Sequence, residues 1–209
     1  MSALTKIAFY RNRRDEVPNQ ELARELANKA DKDGIREIAQ NLTNKNKNVQ
    51  SDCLKVLYEI GYLKPDLIEE YVGDFLKLLK SKNNRMIWGG TIALATIADK
   101  KAREIWANIN DVTTAVDQGS LITVVWGVKT LAKVAAADPA YKQKIFPILM
   151  AQLKKCIPRD VPMHAESILP AVDADHKKDF LTILEARKSE MTPAQFARLK
   201  KVTKSVDAK

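Results

Sequence analysis

Apolar residues return along this chain at a fixed interval of 37 positions. Stepping by that interval, Ile35 leads to Val72, Ile109 and Phe146. Ile38 leads to Phe75, Val112 and Leu149, and Leu42 leads to Leu79, Val116 and Leu153. A second set runs Leu57, Leu94, Leu131 and, one residue late, Leu169, with Ile60, Ile97, Val134 and Val172 beside it. Every one of these positions is apolar in a chain that is 45% apolar overall, so chance would fill fewer than half of them. A period of this size is the mark of stacked supersecondary units, each covering its apolar side with the next.

Within a period the spacing predicts two amphipathic helices. Ile35, Ile38 and Leu42 recur at i, i+3 and i+7 and mark one buried stripe. A polar joint follows in each unit: Asn44–Asn48, Ser81–Asn84, Asp117–Ser120 and Pro158–Asp160. Such residues end one helix and accept hydrogen bonds from the free amides of the next. The second helix carries a column of small residues, Cys53, Gly90, Gly127 and Ala165, four positions before the leucine column. Small side chains at a crossing let helix axes approach to about 8 Å. Glycine inside a helix costs roughly 0.5–1 kcal/mol against alanine, so its use here points to packing.

The units fall at about 33–66, 67–103, 104–138 and 139–175, with Asn19–Ala30 as a leading helix. Phe180–Met191 and Pro193–Val206 read as a last, degenerate pair, with Thr192 as N-cap and Pro193 at the first helical position. The expected organisation is a basic arm over 1–18, a repeat region over 19–175 and a capping pair over 176–209. A terminal repeat has no neighbour beyond it and needs a polar outer face. Arg198, Lys200, Lys201 and Lys204 supply one.

The segment from Asn48 to Gly61 (Asn-Val-Gln-Ser-Asp-Cys-Leu-Lys-Val-Leu-Tyr-Glu-Ile-Gly) resembles the second helix of HEAT repeats and their armadillo relatives. In that family a Val-Arg pair precedes a small residue and then an apolar-Leu-x-x-apolar-Gly ending; here Gln50 stands where Arg is usual. The resemblance covers about 33–175. It implies an all-α, right-handed α-solenoid (superhelix) of about four HEAT-like helical-hairpin repeats, with capping helices at both ends. For function it implies chiefly scaffolds and adaptors, with occasional enzymes.

Charge changes the picture through its location. The net charge is +9, yet residues 1–14 hold Lys6, Arg11, Arg13 and Arg14 with no acid, and 174–209 hold nine basic against five acidic residues. The two ends therefore account for +8, and the 159 residues between them for +1. A nucleic-acid-binding solenoid would be expected to carry its excess along the body, following phosphates. The first residues, MSALTKIAFYRNRR, lack the apolar core of a secretory signal, and no apolar run approaches the ~20 residues of a membrane span. Cys53 and Cys156 stand in unrelated contexts, which fits a reducing, cytoplasmic setting.

The second helices of such a solenoid line its concave face, where extended partners are gripped. The candidate partner-binding residues are Arg85 and Trp88, one turn apart, then Trp126, Lys129 and Lys133 at i, i+3 and i+7, and His164 near the same column. Tryptophan beside cations suits a peptide with an apolar anchor and acidic neighbours. The competing reading is that both tryptophans fill the space opened by Gly89, Gly90 and Gly127. Trp106 is expected in the core. Asp173-Ala174-Asp175-His176 superficially suggests a metal cluster, but it falls between helices, where Asp serves as a cap, and no further ligand supports it. No metal site or cofactor is expected.

Nothing catalytic stands out. Phosphate-binding glycine loops, HExxH and GxSxG are absent, no carboxylate pair is singled out, and Cys53 is expected to be buried and inert. The basic arm Lys6, Arg11, Arg13 and Arg14, with Phe9 and Tyr10, has a composition for phosphate contact and base stacking, for an anionic membrane surface, or for a basic tail, free or docked. The expected function is a non-catalytic protein- or peptide-binding scaffold. The alternative is nucleic-acid binding, resembling the alkylated-base DNA glycosylases built from HEAT-like repeats; none of their catalytic residues can be matched here. A third reading is a subunit of a larger assembly or oligomer.

Overall fold

The computed structural model describes residues 2–207, and among them every regular element is helical. In chain order these are α1 (Val17–Lys29), α2 (Lys32–Gln40), α3 (Lys47–Leu63), α4 (Val72–Leu78), α5 (Asn84–Ile97) and α6 (Ala102–Trp106). They continue as α7 (Ile109–Gln118), α8 (Leu121–Ala137), α9 (Pro139–Lys155), α10 (Val161–Ile168), α11 (Ala174–Ala186) and α12 (Pro193–Asp207). Short 3-10 turns join several of them.

Side-chain caps start several helices, although at the fourth polar joint Asp160 precedes α10 with no side-chain cap bond. Asn46, Asn83 and Asp138 each accept a hydrogen bond from the amide two residues on, at 2.9, 3.1 and 2.7 Å. Asp31 accepts from Gly34 N–H at 2.9 Å. Ahead of α12, Thr192 N–H donates to Gln195 Oε1 at 2.9 Å while Gln195 N–H donates to Thr192 Oγ1 at 3.4 Å, a reciprocal capping box. Asp173 caps α11 by accepting from His176 N–H at 3.2 Å, and its carboxylate also pairs with His176 Nδ1 at 2.6 Å and Lys142 Nζ at 2.5 Å. The Asp-Ala-Asp-His run thus contributes a helix cap, an ion pair to Lys142 and a hydrogen bond to the His176 ring.

The chain forms two compact bodies, one reaching to Trp126 and one starting at Gly127. In the first, α3 packs against α1, α2 and α5, and α4 lies against α5 and α6. In the second, α9 packs on α10 and α11, and α12 on α10 and α11. The periodic apolar residues form the interiors: all are buried except Ile109 and Leu169, which are half-buried. The small-residue column is buried throughout. A methyl group on Gly90 would meet Leu78 Cβ and the Phe75 carbonyl, both at 3.1 Å, so α5 meets α4 where it carries no side chain of its own. Gly89 serves α3 in the same way, since a methyl there would stand 2.4 Å from Leu54 Cδ2. Cys53 is fully buried, and burial, with Asp52 and Glu37 adding to it, pushes its thiol up to about 12, as suits an inert core residue.

The N-terminal arm is docked. Ile7 and Ala8 are buried, Ala3 N–H donates to Glu37 at 2.7 Å, and Ala8 N–H donates to Asn19 Oδ1 at 2.9 Å. Phe9 N–H donates to Asp52 Oδ2 at 2.8 Å, and Asn19 Nδ2 donates to the other oxygen of Asp52 at 2.9 Å. Asn12, at φ 55°, turns the chain back.

Lys6 sits 2.8 Å from Glu25, which Lys29 also approaches to 2.9 Å. Hydrogen bonds from Lys6, then Lys29, hold the Glu25 carboxyl at about 2, below its ordinary 4.5. A carboxyl lowered by folding adds stability that is complete above the unfolded value and is lost as pH falls through the folded one. Acidification from pH 4.5 to 2 should therefore loosen the arm, with the Ala8 and Phe9 amides losing hydrogen-exchange protection. In Glu25→Gln that protection should already be reduced at neutral pH. Equal protection in both proteins at both ends of the range would remove Glu25 from this role.

Candidate functional site

The first body presents one surface on which chemistry gathers. Helix α3 sets Asp52, Lys55, Tyr58, Glu59 and Tyr62 along one side, at spacings of three or four residues. Helix α5 places Arg85 and Trp88 one turn apart, and Gly89 next to them keeps α5 low against Leu54. Lys55 Nζ pairs with Glu16 at 2.7 Å and Glu59 at 2.8 Å, and lies 4.9 Å from the centre of the Tyr58 ring. Burial works against the Lys55 charge, but the bonds from Glu16 and Glu59 outweigh it and raise its pKa above the usual lysine range.

From Tyr58 a row of rings continues. Tyr58 and Tyr62 have centroids 6.0 Å apart at 66°, and Tyr62 meets Trp126, at the start of α8, at 5.7 Å. Tyr62 is 45% exposed although it is aromatic. Beside the row lies a cleft lined by Arg14, Asp52, Lys55, Tyr58, Arg85 and Trp88 among others. A second recess shares Arg14, Asp52 and Arg85, and adds Phe9, Arg13 and Asn48.

Of the residues singled out from the pattern, Arg85 and Trp88 share this cleft, and Trp126 extends the surface through Tyr62. Lys129 and Lys133 lie on α8 within the second body, both half-buried; burial, then Lys133, lowers the pKa of Lys129. His164 was expected near the exposed column and is instead 1% exposed inside α10. Burial pushes its pKa down and its Nδ1 has no hydrogen-bond partner, so it is a neutral interior ring that offers no surface to a partner. Trp106 is half-buried at the end of α6, less enclosed than the expected core position.

The basic arm does not act as a block. Lys6 is paired with Glu25, Arg13 forms a two-bond pair with Asp15 at 2.8 and 2.9 Å, and Arg11 reaches Glu21 at 3.9 Å. Arg14 instead lines the cleft. The pattern did not single out Asp52, Lys55, Tyr58 and Tyr62, although Tyr58 and Tyr62 stand at i and i+4. That spacing was the available signal.

With this geometry in hand, the chain can be set beside known proteins. No family model matches it, and no curated protein does. Solved structures do. An engineered protein aligns over 100% of this chain and 98% of its own, at TM-score 0.69 and 16% identity. A designed armadillo repeat protein in complex with the peptide (KR)4 aligns over 90% of this chain and 86% of its own, at TM-score 0.69 and 14% identity. Kap121p aligns over 90% of this chain and 20% of its own, at TM-score 0.65 and 17% identity. The chain thus has an all-α, HEAT/armadillo-like helical-repeat solenoid fold. At these identities the likeness is one of fold.

Proposed function

We propose that this protein is a non-catalytic scaffold that binds a protein or peptide segment on the α3–α5 face of its first body. The observation that carries this reading is the row Tyr58, Tyr62 and Trp126, part-exposed beside a cleft holding Trp88 and Arg85. Rings that only filled space would be covered; a half-exposed Tyr62 offers apolar area with little side-chain entropy left to lose. The designed armadillo neighbour carries a peptide, which lends the reading support by analogy of fold. The proposal includes a cytoplasmic setting, in keeping with two free thiols, and no helix among the described residues is long and apolar enough to cross a membrane.

Selection of displayed random peptides on the immobilised chain tests the proposal. Enriched peptides should bind Tyr62→Ala, Trp88→Ala and Trp126→Ala at least tenfold more weakly, with helical circular dichroism unchanged, as expected of aromatic anchors. Enrichment of nothing, or equal binding by all three variants, would reject it.

A further inference from the structure

The geometry points to a narrower ligand class for the cleft: Arg14 and Arg85 grip an acidic side chain of a peptide whose neighbouring apolar residue rests on Trp88 and Tyr58. This inference deepens the proposed peptide-binding role and rests on it.

Hydrogen-bond partners divide the charged groups of the cleft into engaged and unengaged ones. Acidic and basic residues both line the cleft, so composition alone leaves its preference open. The acids are engaged from within. Asp15 is held by both guanidinium bonds of Arg13 and by Val17 N–H at 3.1 Å, and Glu16 is held by Lys55. Asp52 gives one oxygen to Phe9 N–H and the other to Asn19. Lys55 is likewise spent on Glu16 and Glu59. Arg14 and Arg85 remain, both exposed, lining both recesses and forming no side-chain hydrogen bond or ion pair among the described residues.

Two guanidiniums facing one cleft with no side-chain partner of their own, beside carboxylates whose oxygens already accept hydrogen bonds, present planar donor forks matched to a further carboxylate. Each arginine also stands next to structure that fixes its backbone. Arg14 follows the docked arm, and Arg85 lies in the first turn of α5, its N–H bonded to Asn83. Trp88, one turn beyond Arg85, supplies the apolar floor. The recognised unit is therefore an acidic residue beside an aromatic or aliphatic one. It has the opposite charge to the (KR)4 peptide bound by the designed armadillo neighbour.

Fluorescence polarisation with the full chain tests this, using four labelled probes: a peptide alternating glutamate and phenylalanine, the same peptide with glutamine for glutamate, a Lys/Arg octapeptide and an oligothymidine. The acidic peptide should bind about tenfold or more tightly than its glutamine counterpart at low salt, the preference narrowing as salt rises. Arg85→Glu and Arg14→Glu should each erase the preference, while Lys201→Glu on α12 should keep it. Binding of both phenylalanine peptides without preference, weakened by Trp126→Ala, would overturn this inference and leave the peptide-scaffold reading standing. Binding of neither would overturn both. Oligothymidine binding through Arg14 and Arg85, tighter than that of the acidic peptide, would overturn the inference in favour of a nucleic-acid ligand.

Discussion

Replacing Leu94 by alanine should lower the unfolding free energy by about 3 kcal/mol or more, the range for large-to-small changes in a packed interior. Leu94 is 0% exposed and belongs to the column that runs through Leu57, Leu131 and Leu169. It lies on α5, which packs against both α3 and α4 and comes close to them because Gly89 and Gly90 bring no side chain of their own to the crossings. Little collapse into the resulting void is possible, which puts the loss toward the upper part of the range. The fourth member of the column is the internal control. Leu169 arrives one residue late, in a 3-10 turn, and is half-buried, so Leu169→Ala should cost about half as much. Urea titrations followed by circular dichroism would compare the two, with a fall in midpoint at constant slope expected for Leu94→Ala. Equal losses at both positions would mean that repeat register, rather than local enclosure, sets the contribution of this column.

Arg187→Met should destabilise the second body by about 3 kcal/mol, because its guanidinium closes the C-terminal end of α9. It donates to the carbonyls of Leu153 at 2.9 Å, Lys154 at 2.7 Å and Cys156 at 2.8 Å, and it pairs with Glu190 at 2.7 Å. Terminal carbonyls of a helix lack partners within it, and a hydrogen bond to a charged group contributes about 1.5–3 kcal/mol where it is shielded from water. The Arg187 side chain is only 11% exposed, and its bonds to Leu153 and Cys156 are part-buried while that to Lys154 is exposed. Glu190→Gln separates the two contributions. It removes the ion pair but leaves the carbonyls satisfied, and should cost under about 1 kcal/mol. Thermal unfolding of the two variants would show whether the carbonyl bonds dominate; a larger loss for Glu190→Gln than for Arg187→Met would reverse the assignment.

These two residues mark where reading the chain succeeds and where it stops. Leu94 announces itself, because burial forces a helix to repeat apolar residues and stacking forces the repeat to recur at the length of a unit. The caps at Asn46, Asn83 and Thr192 were legible for a related reason, being local chemistry within three residues of the amides they serve. Arg187 gives no such sign. Its carbonyls lie 31 to 34 positions earlier in the chain, and among basic residues near the C-terminal end it looks like one more solvated cation. The N-terminal cations allowed a free or a docked tail and the chain alone could not choose, since the partners that take up Lys6 and orient the arm sit on α1, α2 and α3. Of the candidate site, Arg85 with Trp88 was legible as a pair one turn apart. Tyr58 and Tyr62 escaped because outward-facing positions follow no period, and His164 was misplaced because a histidine on an amphipathic helix can face either way.

Helix α8 has a practical consequence for anyone wishing to handle the two bodies singly. The division between them, at Trp126 and Gly127, falls inside Leu121–Ala137. A cut at that point would strand fewer than two turns of helix on the N-terminal fragment, too short to hold their shape unaided. Cleavage at Gly119 or Asp138 spares the helix but hands it whole to one fragment, and with it either Trp126, taken from the ring row it extends, or Val128, Leu131 and Val134, taken from the interior they help to fill.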